Sequence, residues 1–179
     1  SIGNNPAVLL RAIKRSKKFK KIKLIRGAIS QLLQGYLDQN IPMMLTSKII
    51  SELNDACTKQ VIAIVLKKID TPPPVHFSWL AMGSQGRSEQ LLQTDQDNAL
   101  LYEDVPEADA ETTKNYFLDL ASRINKGLFE IGYEYCPAEM MASNPNWCLS
   151  LSECKEKVHH WITNTGKNEV LLSFIFFDY

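Results

Sequence analysis

Three consecutive prolines, Pro72-Pro73-Pro74, follow Thr71 and divide this chain of 179 residues. Proline has no N–H to donate, and its ring drives the preceding residue out of the helical region. No helix runs across three of them, and the apolar pattern differs on the two sides. Residues 7–36 repeat at helical spacing, most clearly at Ile25, Ala28, Ile29, Leu32, Leu33 and Tyr36. After a loop at 38–42, a second amphipathic stretch carries Ile49, Ile50, Leu53, Cys57, Val61, Ile64, Val65 and Ile69. Beyond the prolines, Val75–Met82 and Asn98–Tyr102 read as strands. Pro106 opens a long helix with Phe117, Leu120, Ile124, Leu128 and Ile131 on one face and Gly132 just past its end. Tyr133–Met141, broken by Pro137, reads as a third strand, and Ser150 or Ser152 caps a helix running to about Trp161. Arg87–Gln93 reads as a helical turn or two, whereas Glu169–Tyr179 fits a strand by residue type and a helix by spacing. The expected fold is α+β, with a helical region over 1–71 and an α/β domain over 72–179.

Charge is distributed unevenly. Nine of the 20 basic residues lie between Arg11 and Arg26, and no acid precedes Asp38. The first 37 residues therefore carry +9; the other 11 bases and all 20 acids give −9. That balance argues against a nucleic-acid-binding protein as a whole, and the basic stretch reads as a solvated helix face. Contact with nucleic acid, an acidic partner or lipid headgroups is the competing reading. Cys57, Cys136, Cys148 and Cys154 form no C-x-x-C pair and read as reduced thiols of a cytoplasmic protein. No signal peptide or apolar run of about 18 residues is present, so no membrane span is expected. The chain starts without Met and stops within the apolar stretch from Phe174 to Tyr179, which suggests a fragment of a longer protein.

Between the first two strands lies G-S-Q-G-R-S-E-Q-L-L-Q-T-D-Q-D-N, residues 83–98. Two carboxylates one residue apart, Asp95 and Asp97, point to the same side if extended. Paired hard oxygens suit Mg²⁺, which keeps substrate phosphates among its other ligands. Gly83 allows close backbone approach to a phosphate, Ser84 adds a hydroxyl donor, and Arg87 adds a planar fork. Singly, a Gly-Ser turn or a D-x-D pair is most often structural. Their conjunction between two apolar runs is far more specific, and it is not the P-loop pattern, because no Lys follows Gly86.

The G-S-x10-D-x-D arrangement resembles the signature of the DNA-polymerase-β-like nucleotidyltransferase superfamily. The longer string from Trp79 to Leu101 resembles a narrower bacterial group related to the uridylyltransferase of the PII signalling protein, often found downstream of cyclic-nucleotide-binding and CBS modules. Cys136-Pro137, Met141-Ala142-Ser143-Asn144-Pro145, Trp147 and Phe177-Asp178 look like that group too. The resemblance covers roughly residues 40–179. It implies a polymerase-β-like domain with a small mixed sheet flanked by helices, and upstream regulatory domains in the full-length chain. It also implies that Gly83 and Ser84 bind nucleotide phosphates with support from Arg87, and that Asp95 and Asp97 bind Mg²⁺. The superfamily adds a third carboxylate from a later strand. Glu139 and Asp178 are the candidates, with Glu134 behind them.

Glu89 and Gln90 read equally as partners of Arg87 and as surface residues. His159-His160 reads as helix surface, and Trp79, Trp147 and Trp161 as core or interface aromatics. The expected activity is Mg²⁺-dependent transfer of a nucleoside monophosphate from a nucleoside triphosphate (NTP) to the hydroxyl of a protein or small-molecule acceptor, in bacterial signalling. The alternative is a non-catalytic nucleotide-binding regulatory module of the same fold. A basic helical nucleic-acid binder ranks last.

Overall fold

A computed structural model describes residues 5–81, 95–165 and 177–178. Of these, 5–69 and 126–134 form one compact unit, and 70–81, 95–125, 135–165 and 177–178 form another. The Arg87–Gln93 segment lies outside the described residues.

The first unit is helical. Helix α1 (Pro6–Arg15) starts where the Asn5 side chain accepts the Ala7 N–H at 2.8 Å, with proline in the first turn. The helical periodicity of 7–36 belongs to two helices, because the chain breaks at Ser16 before α2 (Phe19–Asp38). The Ser16 hydroxyl donates back to the Ala12 carbonyl at 2.8 Å, a local bond that competes with helix continuation. The Ser16 carbonyl freed by this break accepts from Gln60 Nε2 at 2.7 Å on α3 (Met43–Lys68). Leu9, Ile13, Ile22, Ile25, Ile50, Leu53, Cys57, Val61 and Ile62 are nearly or fully buried. Each such aliphatic side chain contributes roughly 1.5–3 kcal/mol by leaving water. Gly127 packs so closely here that a Cβ would stand 2.8 Å from Val61 Cγ1 and 2.9 Å from Phe19 Cζ. Arg26 lies 3.8 Å over the Tyr133 ring and donates to the Ile131 carbonyl at 2.9 Å. The basic residues from Arg11 to Lys23 are all exposed, which fits a solvated face.

The second unit is built on a four-stranded sheet of order β3-β2-β1-β4. Strand β1 (Phe77–Ala81) pairs antiparallel with β2 (Asn98–Tyr102), from Phe77↔Tyr102 to Ala81↔Asn98. From β2 the chain passes through α4 (Ala110–Glu130) to β3 (Cys148–Ser150), parallel to β2, and on to α5 (Leu151–Thr165). Strand β4 (Phe177–Asp178) adds antiparallel to β1, so the end of the chain resolves in favour of strand at those two residues. Tyr102 stacks on Phe117 at 4.8 Å and Phe77 meets the same ring at 5.6 Å, so α4 covers the sheet face that holds Phe77, Leu100 and Tyr102. Among the described residues, five α-helices with this small mixed sheet make the α+β architecture expected, consistent with a polymerase-β-like fold.

One strand expectation fails. Tyr133–Met141 is not a strand: it holds one isolated bridge, at Glu134, and otherwise turns. Pro137 removes a ladder donor, the Glu139 N–H donates to the Cys136 carbonyl at 3.0 Å, and Glu139 takes a φ of +55°. Among the described residues, the third strand in chain order is Cys148–Ser150. Among the described residues no helix is long and apolar enough to cross a membrane.

Candidate functional site

Burial alternates over the residues leading into β2: Asp95 is exposed, Gln96 buried, Asp97 half-buried and Asn98 buried. Extended backbone sends successive side chains to opposite faces, so Gln96 and Asn98 turn toward α4 and the two aspartates toward the other face. The buried pair is held by Asn125 on α4, which is 1% exposed. Asn125 Nδ2 donates to Gln96 Oε1 at 2.8 Å and to Asn98 Oδ1 at 2.9 Å, and Gln96 Nε2 returns a bond to the Asn125 carbonyl at 2.9 Å. Asn98 Oδ1 also accepts the Ala142 N–H at 2.8 Å, and Asn125 Oδ1 accepts the Ser143 N–H at 3.0 Å.

These amides escaped the sequence reading because polar residues in a strand and a helix usually face water. A signal was present. Asn125 falls on the apolar stripe of its helix, four positions after Ala121 and three before Leu128.

Asp95 and Asp97 are thus brought to one side of one strand end, the end of β2 that lies beside the C-terminus of β1. Gly83, Ser84 and Arg87 lie outside the described residues, as do Glu89 and Gln90. Glu139 is exposed, and the carbonyl of its neighbour Met140 accepts the Asn98 N–H at 3.0 Å, so its turn adjoins the start of β2. The Asp178 backbone pairs with Ser78. Asp97 precedes Asn98, the partner of Ala81, and so lies four residues from Asp178 along the ladder, roughly 13 Å at strand rise. Glu134 is exposed and groups with the helical unit. Among the described residues no three His, Cys, Asp or Glu side chains gather as a ready metal cage. The two aspartates fit the Mg²⁺ preference for one or two carboxylates completed by water and phosphate oxygens.

A cavity of about 750 Å³ opens at the other end of β2, among Tyr102, Asp104, Lys114, Ser150, Ser152 and Glu153. Its polar groups are engaged in holding α5. Asp104 accepts from the Ser152 N–H at 3.0 Å and hydroxyl at 2.7 Å, and those bonds hold its carboxyl below the usual range. Ser150 and Glu153 form a capping box, with Lys114 3.4 Å from Glu153. Burial works to raise the Glu153 carboxyl, but the Ser150 N–H and Lys114 hold it low. Burial, then the Glu153 charge, pushes the Tyr102 hydroxyl up to about 12.

Comparison with protein families decides what kind of domain this is. The model of the family described as "Putative nucleotidyltransferase DUF294" matches residues 27–168. The chain belongs to this family. Neither the curated proteins nor the solved structures gave a match.

As a nucleotidyltransferase-family domain, the chain has its D-x-D pair on a strand end braced from behind. Packing accounts for Trp79 and Trp147. Trp79 is 1% exposed in the core, and Trp147 lies half-buried under Lys157. The Trp161 side chain lies outside the described residues. His159 and His160 lie on the exposed face of α5. All four cysteines are free thiols, and burial pushes Cys57 and Cys148 up to about 12, far from reactive thiolates.

Proposed function

We propose that this domain transfers a nucleoside monophosphate from an NTP to an acceptor hydroxyl with Mg²⁺ held by Asp95 and Asp97, in a bacterial signalling protein of the polymerase-β-like superfamily. One observation carries the reading. Asp95 and Asp97 share one side of a strand end while Gln96 and Asn98 are anchored behind them, in a chain of a nucleotidyltransferase family. Gly83 and Ser84, which come two and three residues after the end of β1 in sequence, hold the outer phosphates, and Arg87 supports them. Mg²⁺, when bound, neutralises charge on the departing pyrophosphate and aligns the displacement. Glu139, next to the residue bonded to Asn98, is the better placed of the two candidates to take the acceptor proton; Asp178 is the other. The acceptor is a protein or small molecule, and upstream regulatory domains control the site in the full-length chain.

Calorimetric titration of each NTP, with and without Mg²⁺, tests this. Binding should require the metal and vanish in Asp95→Ala/Asp97→Ala. No metal-dependent binding by the wild type, or unchanged binding in the double variant, would sink it.

A second reading has one observation in its favour: no third acidic group gathers with the pair among the described residues. On that reading the domain binds a nucleotide to transmit a signal and transfers nothing. Pyrophosphate release from the full-length protein, lost in Asp97→Ala, rules this second reading out.

A further inference from the structure

We propose that Asn125 is the positioning residue of the aspartate pair, and that its amide sets both the D-x-D strand and the turn carrying Glu139. The inference rests on the metal–nucleotide reading of Asp95 and Asp97. It assigns a role to residues 140–143, which that reading leaves unused.

Asn125 spends its whole side chain on two elements. Both Nδ2 hydrogens go to the strand, one to Gln96 and one to Asn98, the residues on either side of Asp97. Its Oδ1 takes the Ser143 N–H, and Asn98 Oδ1 takes the Ala142 N–H beside it. Gln96, Asn98 and Asn125 are 3%, 3% and 1% exposed, so water cannot replace a lost partner. A one-residue slip of the strand would turn Gln96 and Asn98 outward, bury the aspartates and break four of these side-chain bonds at once. An apolar core of the same volume would pack as well yet leave that slip and the turn unspecified. Directional bonds choose one arrangement where apolar contacts tolerate several. In this one, the carboxylates face away from α4 and the Met140 carbonyl meets the Asn98 N–H at 3.0 Å.

The probe is Mn²⁺, counted by electron paramagnetic resonance, alone and with a non-hydrolysable NTP. In Asn125→Leu, affinity should fall tenfold or more, with the bound-Mn²⁺ spectrum broadened by heterogeneous coordination. Leu120→Ala removes a buried side chain from the same helix. It should lower the melting temperature at least as far while keeping affinity within twofold and the spectrum unchanged. Gln96→Leu, which cuts one arm only, should weaken binding about threefold and serves if Asn125→Leu does not fold. Asn125→Leu or Gln96→Leu binding as the wild type does, or Leu120→Ala losing as much as Asn125→Leu, overturns the proposal and leaves the metal site standing. A wild type that binds no Mn²⁺ overturns the metal reading and this inference together.

Discussion

The backbone N–H of Asn98 donates to the carbonyl of Met140 at 3.0 Å. That single bond places a turn, rather than a strand, beside the D-x-D pair, and Glu139 is the acid on it. Glu139→Gln is therefore expected to cut pyrophosphate release from the full-length protein by about 100-fold, the lower end of what a general base supplies. Asp178→Asn should change it less than about threefold on the same principle, since Asp178 pairs with Ser78, well along the sheet. A steady-state pyrophosphate assay on both variants decides between them; a larger loss in Asp178→Asn assigns the role the other way.

Gly127 sets two effects against each other. Alanine improves helix propensity by about 1 kcal/mol. Its Cβ, however, would lie 2.8 Å from Val61 and 2.9 Å from Phe19, and overpacking of this kind costs roughly 1–3 kcal/mol. Gly127→Ala should therefore destabilise by about 1 kcal/mol net. Urea unfolding reads this as a lower midpoint at constant slope.

Gly132 has a φ of +114°, which L residues rarely adopt, and a Cβ there would meet Arg26 Nη1 at 2.7 Å. Gly132→Ala should cost about 1–3 kcal/mol in backbone strain alone. It should also displace the guanidinium that bonds Ile131 and covers Tyr133. Loss of Tyr133 ring-current shifts on Arg26, followed by NMR, would report that displacement.

Asp55 makes stability depend on pH. Burial pushes its carboxyl up to about 6, with Lys59 opposing and Glu52 adding to the rise. A raised carboxyl pKa means the folded protein disfavours the charge. The contribution is therefore fully present below about pH 4, the unfolded value, and is lost as pH rises through about 6. Asp55→Asn should raise the melting temperature at pH 7.5 and leave it unchanged near pH 4. Discounted for partial exposure, the gain is about 1 kcal/mol, or about 2–4 °C. Equal shifts at both pH values would show that the charge is not the cause.

Elements whose pattern is local were legible. Strand β2 was expected at the residues where it forms, because Asn98–Tyr102 is a short apolar run after polar residues. Helix α4 lies within its expected Pro106–Gly132 bounds, because proline and glycine mark helix ends by their own backbone chemistry. The break at Ser16 was not legible, since the carbonyl it exposes is satisfied by Gln60, 44 residues away. Strand β3 was missed because its three residues are too few for a pattern, and its pairing with β2 requires the intervening helix. Tyr133–Met141 misled because apolar residues around a proline also occur in turns, and here only Cys136 is buried.

By itself, then, the sequence determined the three-proline divide, the amphipathic faces and the spacing of Asp95 and Asp97. Each depends only on residues a few positions apart. Tertiary structure decided which side of β2 those aspartates occupy and which turn adjoins the start of that strand. Both follow from the bonds of Asn125 and Asn98 to Gln96, Met140, Ala142 and Ser143. Hydrogen bonds across 29 and 44 residues carry no local periodicity. They exist only once helix and turn close over the strand and exclude the water that would otherwise satisfy those amides.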